Sequence, residues 1–200
     1  MTGTLTSTSG LSLEEIETQR NFYQSHAPGC LAEFKVRPAD LSGHRFDGHG
    51  EILNSYWSVA CTCGSNGFKI HGYNAINPDN PDAVPVFVSP IELEFAECGR
   101  VSLLFDTDSH GYDPVACGDS FTIHGLRWKG AMRTKHLCNH NNCQGGSFSV
   151  FTRFEYPGDL FCDDRDDFRG REMDLFTWFT LVGYCRACRT RSTVVEFECA

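Results

Sequence analysis

The chain has 200 residues, 40% of them hydrophobic and 12% aromatic, with a formal net charge of -9 at pH 7. That is enough apolar material for a globular chain with a buried core, and no apolar run approaches the roughly 20 residues of a membrane-spanning helix. An acidic balance argues against nucleic acid and anionic membrane as partners and favours a basic one. The opening MTGTLTSTSG lacks the basic and apolar regions of a secretory signal and reads as a lead-in. Eleven cysteines without such a signal point to the reducing cytoplasm, where thiols stay free or bind metal. Cys30, Cys162 and Cys199 stand apart from other cysteines and read as small buried apolar residues.

In chain order, the first predicted element is a helix over residues 12–26, SLEEIETQRNFYQSH. Ser12 and Glu15 form a capping box, the early acids suit the helix N-terminus, and the following APG stops it. After the connection LSGHRFDGHGE the chain turns strand-like. SYWSVACTC, GFKIHGY, AVPVFVSPIELEF, RVSLLFD, SFTIHGLRW, SFSVFTRFEY, LFTWFTLVGYC and STVVEFEC are short, β-branched or aromatic, and bounded by turn residues. NPDNPD reads as a loop, and DDRDDFRGREMD holds one short helical or irregular stretch. The predicted fold is therefore a β-rich α+β chain. It divides into a lead-in and helix (1–50), a first cysteine/β unit (51–119) and a second (120–200).

The two units repeat one phrase. A phenylalanine follows the second cysteine by five residues in both, Cys63 to Phe68 and Cys143 to Phe148. Placing Cys98 on Cys188 lays GRVSLLF over RTRSTVVEF and puts Phe95 where the second copy has Cys185. Each unit then consists of a cysteine turn, a β-meander and a second cysteine turn, with one ligand missing from the first.

Cys138, Cys143, Cys185 and Cys188 read C-x4-C and C-x2-C across a β-rich insertion. Structural zinc takes four tetrahedral thiolate or imidazole ligands, and two tight turns can each present two sulfurs. This spacing resembles a zinc ribbon, so structural zinc is the expected cofactor. His136 and His140 flank the first pair as possible substitutes. The first copy offers only Cys61, Cys63 and Cys98, with His71, His110 or Cys117 as candidates for a fourth ligand, and is expected to be a degenerate, metal-free site.

FDTDSHGYDPVACG begins like a calcium loop, with Asp106, Asp108 and then Gly111 at the sixth place. Its twelfth place is Cys117, where calcium needs a bidentate glutamate, so a tight turn is expected. Asp106, Asp108, His110 and Asp113 could alternatively serve as general acids and bases. Signatures for serine hydrolases, nucleotide-binding loops, zinc proteases, dinucleotide folds and zinc deaminases are absent. Cys185 and Cys188 lie at a strand start, not at a helix start that would activate a thiolate for redox work.

The phrase C-x-C-G…F…G-Y followed by E-C-G-R…L-F-D…H-G-Y-D is carried by Cys61, Cys63, Gly64, Phe68, Cys98, Gly99, Phe105, Asp106, His110, Gly111, Tyr112 and Asp113. It resembles small stand-alone bacterial proteins of zinc-ribbon type, which are similar to immunity proteins that neutralise a toxin encoded nearby. The resemblance implies a non-enzymatic module that binds a basic protein surface.

Charge placement points the same way: residues 75–119 hold nine acids against Arg100 alone. Glu97, Asp106, Asp108 and Asp113 are the expected partner-binding acids. Two alternatives stand. One is a nucleic-acid-binding zinc ribbon using Arg127, Lys129, Arg133, Lys135, Arg186, Arg189 and Arg191 with Trp128, which the net charge disfavours. The other is a zinc hydrolase built on the first cysteine set and His110.

Overall fold

The structure, a computed structural model, describes residues 13–41, 44, 53–75, 82, 85–116, 132–157 and 168–199. Helix α1 spans Leu13–Ser25, with Glu14 and Glu15 in its first turn. Ser12, the expected cap, lies outside the described residues. Gln19 and Tyr23 sit one turn apart and are buried, while Glu14, Glu15 and Glu17 are exposed. Tyr23 stacks on Tyr156 with ring centroids 3.8 Å apart, so one aromatic pair seats the helix on the sheet.

Among the described residues, nine strands form one antiparallel sheet: β1 (Lys35–Pro38), β2 (Leu53–Ala60), β3 (Phe68–Ala75), β4 (Val86–Phe95), β5 (Val101–Phe105), β6 (Met132–Lys135), β7 (Phe148–Tyr156), β8 (Trp178–Cys185) and β9 (Arg191–Glu198). A short helix α2 (Tyr112–Ala116) follows β5. Strand β2 shows the clean alternation of a half-buried strand, with Leu53, Ser55, Trp57 and Val59 inward. The β-rich expectation with one N-terminal helix matches this chain.

The pairing shows how the repeat is built. Strands β3, β4 and β5 form one meander, and β7, β8 and β9 form another. The strand leading into each meander pairs with the other meander: β2 runs against β7, and β6 runs against β3. The two meanders meet where Phe68 pairs with Phe148. Exchanging the labels of the two copies maps β2·β7 onto β6·β3 and leaves the Phe68–Phe148 contact unchanged. The sheet therefore has a pseudo-twofold relation, and the units divided at residue 119 share one sheet through exchanged leading strands.

Phe105 at the end of β5 stacks on Phe179 of β8 at 4.1 Å and on Phe197 of β9 at 5.4 Å. The first meander thus packs against the second through a phenylalanine cluster that also includes Phe154 and Phe176. On the opposite face of β7, Arg153 and Glu155 are buried together as an ion pair, and Arg153 Nε donates to Asn54 Oδ1 at 3.0 Å.

Strands β1 and β6 carry no sequence signal, since KVRP and MRTK are short, largely exposed and without alternation. The expected strand at residues 120–128 and all of the NPDNPD loop except Asp82 lie outside the described residues. Within DDRDDFRGREMD, a 3-10 turn forms over Glu172–Asp174, and Asp174 accepts a hydrogen bond from the Gly29 backbone N–H at 2.7 Å.

Candidate metal centre

Each cysteine turn is a hydrogen-bonded knuckle, and the two copies can be compared bond by bond. In the first copy Cys61 N–H donates to Ser65 O at 2.7 Å and Gly64 N–H to Cys61 O at 2.9 Å. In the second, Cys138 N–H donates to Gly145 O at 2.8 Å and Gln144 N–H to Cys138 O at 2.9 Å. Gly64 and Gln144 both have positive φ, at 98° and 55°. Cys63 thus corresponds to Cys143 and Ser65 to Gly145. The extra residues of the second knuckle are the 3-10 turn His140–Asn142.

The second turn of each copy matches equally well. Phe95 N–H donates to Arg100 O at 2.8 Å and Gly99 N–H to Phe95 O at 2.8 Å. Cys185 N–H donates to Thr190 O at 2.9 Å and Arg189 N–H to Cys185 O at 2.8 Å. Gly99 and Arg189 share positive φ, at 68° and 61°. The strand register agrees, since Phe68 faces Phe95 and Phe148 faces Cys185. Phe95 therefore stands at the backbone position of Cys185, as the sequence alignment of the two copies predicts.

In the second copy all four expected cysteines converge, with their sulfurs within 4.8 Å of one another. Cys138 Sγ lies 3.6 Å from Cys188 Sγ, and Cys143 Sγ lies 3.8 Å from Cys185 Sγ. Cys138 and Cys185 are buried, and Cys143 and Cys188 are half-buried. Burial pushes the Cys138 thiol up to about 12, against a hydrogen bond from the His140 backbone. Cys188 is held down to about 6 by hydrogen bonds from the Thr190 side chain and backbone. Gly145 has no room for a side chain: a Cβ there would stand 2.9 Å from Cys185 Sγ and 3.2 Å from Cys143 Sγ. Four sulfurs on this scale can hold a metal ion.

In the first copy Cys61, Cys63 and Cys98 bring three sulfurs within 4.8 Å of one another. Cys61 Sγ and Cys98 Sγ are 3.8 Å apart, close to the spacing of their counterparts. None of the candidate fourth ligands among the described residues joins them. His71 bonds Glu94 through Nε2 at 2.9 Å, and His110 Nδ1 accepts the Asp106 backbone N–H at 2.9 Å. Cys117 lies outside the described residues. At the second cluster the flanking histidines are not needed: the His136 ring packs on Phe148 and Phe87, and His140 contacts Asn141.

The stretch DTDSHGYD closes on itself. Asp106 Oδ1 accepts the Asp108 N–H at 3.1 Å, and Asp106 O accepts the N–H groups of Ser109 and His110. This is the tight Asx-type turn expected from its residues. Glu97 is exposed on the turn before Cys98, Asp106 and Asp108 are half-buried, and the Asp113 side chain lies outside the described residues. Glu92 and Glu94 of the same acidic segment pair with Arg133 and with Lys69 and His71. Lys135, Arg186, Arg189 and Arg191 are exposed near the second cluster, and Arg127, Trp128 and Lys129 lie outside the described residues.

The nine cysteines among the described residues form no disulfide. Cys199 is buried, and Cys30 is half-buried. Cys162 lies outside the described residues. No helix among the described residues is long and apolar enough to cross a membrane. No protein-family model, no curated protein and no solved structure matches the chain.

Proposed function

We propose that this is a non-enzymatic binding protein, stabilised by structural zinc, that presents acidic surface to a basic protein partner in the manner of an immunity protein. The observation that carries the reading is the convergence of Cys138, Cys143, Cys185 and Cys188. Four thiolates suit zinc, and a set complete without solvent leaves no corner for a substrate. The zinc-ribbon comparison rests on this cluster. Unpaired thiols fit a reducing compartment, which favours the cytoplasm.

On the acidic side, Glu97 is free of the fold's own hydrogen-bonded turn at Asp106 and is the leading contact, with Asp108 and Asp113 following after β5. The exposed Glu14, Glu15 and Glu17 of α1 add to the acidic surface. Such charges act chiefly on the rate of encounter. The test is affinity capture from the native cell with the wild type and with a Glu97→Lys, Asp108→Lys variant. A basic protein held by the wild type and lost by the variant at unchanged melting temperature supports the proposal. Binding that survives the reversal overturns it.

The exposed Lys135, Arg186, Arg189 and Arg191 favour a second reading, recognition of an anionic strand at the zinc knuckle. Oligonucleotide binding that weakens steeply with salt would decide for it.

A further inference from the structure

We infer that Cys61, Cys63 and Cys98 form a second metal site, for a zinc-class divalent ion, whose fourth position is open to an exchangeable oxygen or nitrogen donor beside Ser65. Two independent observations carry this. The first is the frame itself. The knuckle hydrogen bonds, positive-φ residues and Cys61–Cys98 sulfur spacing repeat those of the four-sulfur cluster. A chain that had abandoned the site would not need three thiols converging at 4.8 Å or less. The Cys63 backbone N–H points at Cys61 Sγ at 3.4 Å, and the Ser65 backbone N–H bonds the Cys63 sulfur, as Gly145 does for Cys143.

The second observation is an orphan. Ser65 is 4% exposed, and its Oγ has no hydrogen-bond partner. Buried hydroxyls are normally satisfied, and one left alone calls for a partner. Its place is telling. At the corresponding Gly145, a Cβ would meet the sulfurs of Cys185 and Cys143. The first copy has Ser65 there, and Phe95 in place of Cys185. The Phe95 ring packs toward Phe34 and Phe68 under the Arg100 guanidinium. By the match of the two knuckles, the Ser65 Cβ borders the corner vacated by a sulfur, and its unpartnered hydroxyl is the group we assign to a metal-bound water there. Cys63 and Cys98 are exposed, so exchange with solvent is direct. Three protein ligands plus a solvent ligand is the open arrangement, in contrast to the closed set of the second copy. Each thiol gives its proton to the buffer on ligation, and no electron is transferred.

Cobalt(II) titration of the reduced, metal-free full-length chain, read by its visible absorption, tests this independently of the partner and of the first zinc. Two equivalents should bind. The second should show weaker, shifted bands that change again when imidazole is added at millimolar concentration. Cys63→Ser and Cys98→Ser should each remove only the second equivalent. Ser65→Ala should keep it but change its spectrum and its response to imidazole. A titration that stops at one equivalent overturns the inference. So does a second equivalent deaf to imidazole, one untouched by Ser65→Ala, or one lost in Cys117→Ser, which would mean a closed site.

Discussion

Gly145 shows how one residue can serve the four-sulfur cluster without contributing a sulfur to it. A Cβ there would stand 2.9 Å from Cys185 Sγ, 3.0 Å from the Ala187 Cβ and 3.2 Å from Cys143 Sγ, inside ordinary contact. Gly145→Ala should displace two sulfurs and weaken the proposed zinc binding by roughly 10–100-fold, as perturbed ligand positioning generally does. A competition titration against a chromophoric chelator measures this, and unchanged affinity would show that the knuckle gives way freely.

His110 is equally specific, because its Nδ1 must keep a lone pair for the Asp106 N–H. Burial lowers its pKa from 6.5, although the charges of Asp106 and Asp174 work the other way. The folded state then refuses a proton that the unfolded chain accepts. Stability from this group is complete above about pH 6.5 and is lost as the pH falls below it. Melting temperature measured from pH 7.5 down to 5 should fall less steeply in His110→Gln, whose amide oxygen can accept the same N–H.

Among the elements, the two knuckle-and-meander copies differ at positions that reveal their backbone needs. Gly99 and Arg189 occupy the same left-handed position, at φ 68° and 61°. Nothing lies within 4 Å of a Cβ built on Gly99, so Gly99→Ala carries only a backbone cost of about 1–2 kcal/mol. Arg189→Gly should instead gain about 0.5–1 kcal/mol, the strain relieved less the added freedom of the unfolded chain. Urea unfolding of both variants checks the pair; equal signs would mean the two turns are not equivalent.

The duplication was legible because cysteine, glycine and phenylalanine spacings survive in both copies, and the overlay of Cys98 on Cys188 matches the structure. The exchange of leading strands was not legible. It depends on β6, four largely exposed residues whose pairing partner is set by the sheet and not by their own pattern. The orphaned Ser65 was hidden for a different reason: a serine in a turn gives no sign of burial until the knuckle is built. Among the expected partner acids, sequence grouped Asp106 with Glu97, yet Asp106 serves its own loop while Glu97 stands exposed.

For the whole molecule, one sheet carries two related cysteine centres about a pseudo-twofold relation, with the Phe105 stack joining the ends of the meanders. Phe105 is fully buried, and Phe105→Ala should cost about 3–5 kcal/mol by cavity formation. That loss should lower the melting temperature without removing zinc from a folded chain, since Phe105 is not in either sulfur cluster. The central claim is that the second cluster is a closed structural zinc site whose occupancy stabilises the fold. The most direct test is zinc content and melting temperature of the Cys63→Ser chain, in which only the four-sulfur cluster is intact, with and without Cys185→Ser. One zinc per Cys63→Ser chain, lost together with much of the thermal stability when Cys185→Ser is added, is the predicted result; a folded Cys63→Ser chain carrying no zinc under reducing conditions would contradict it.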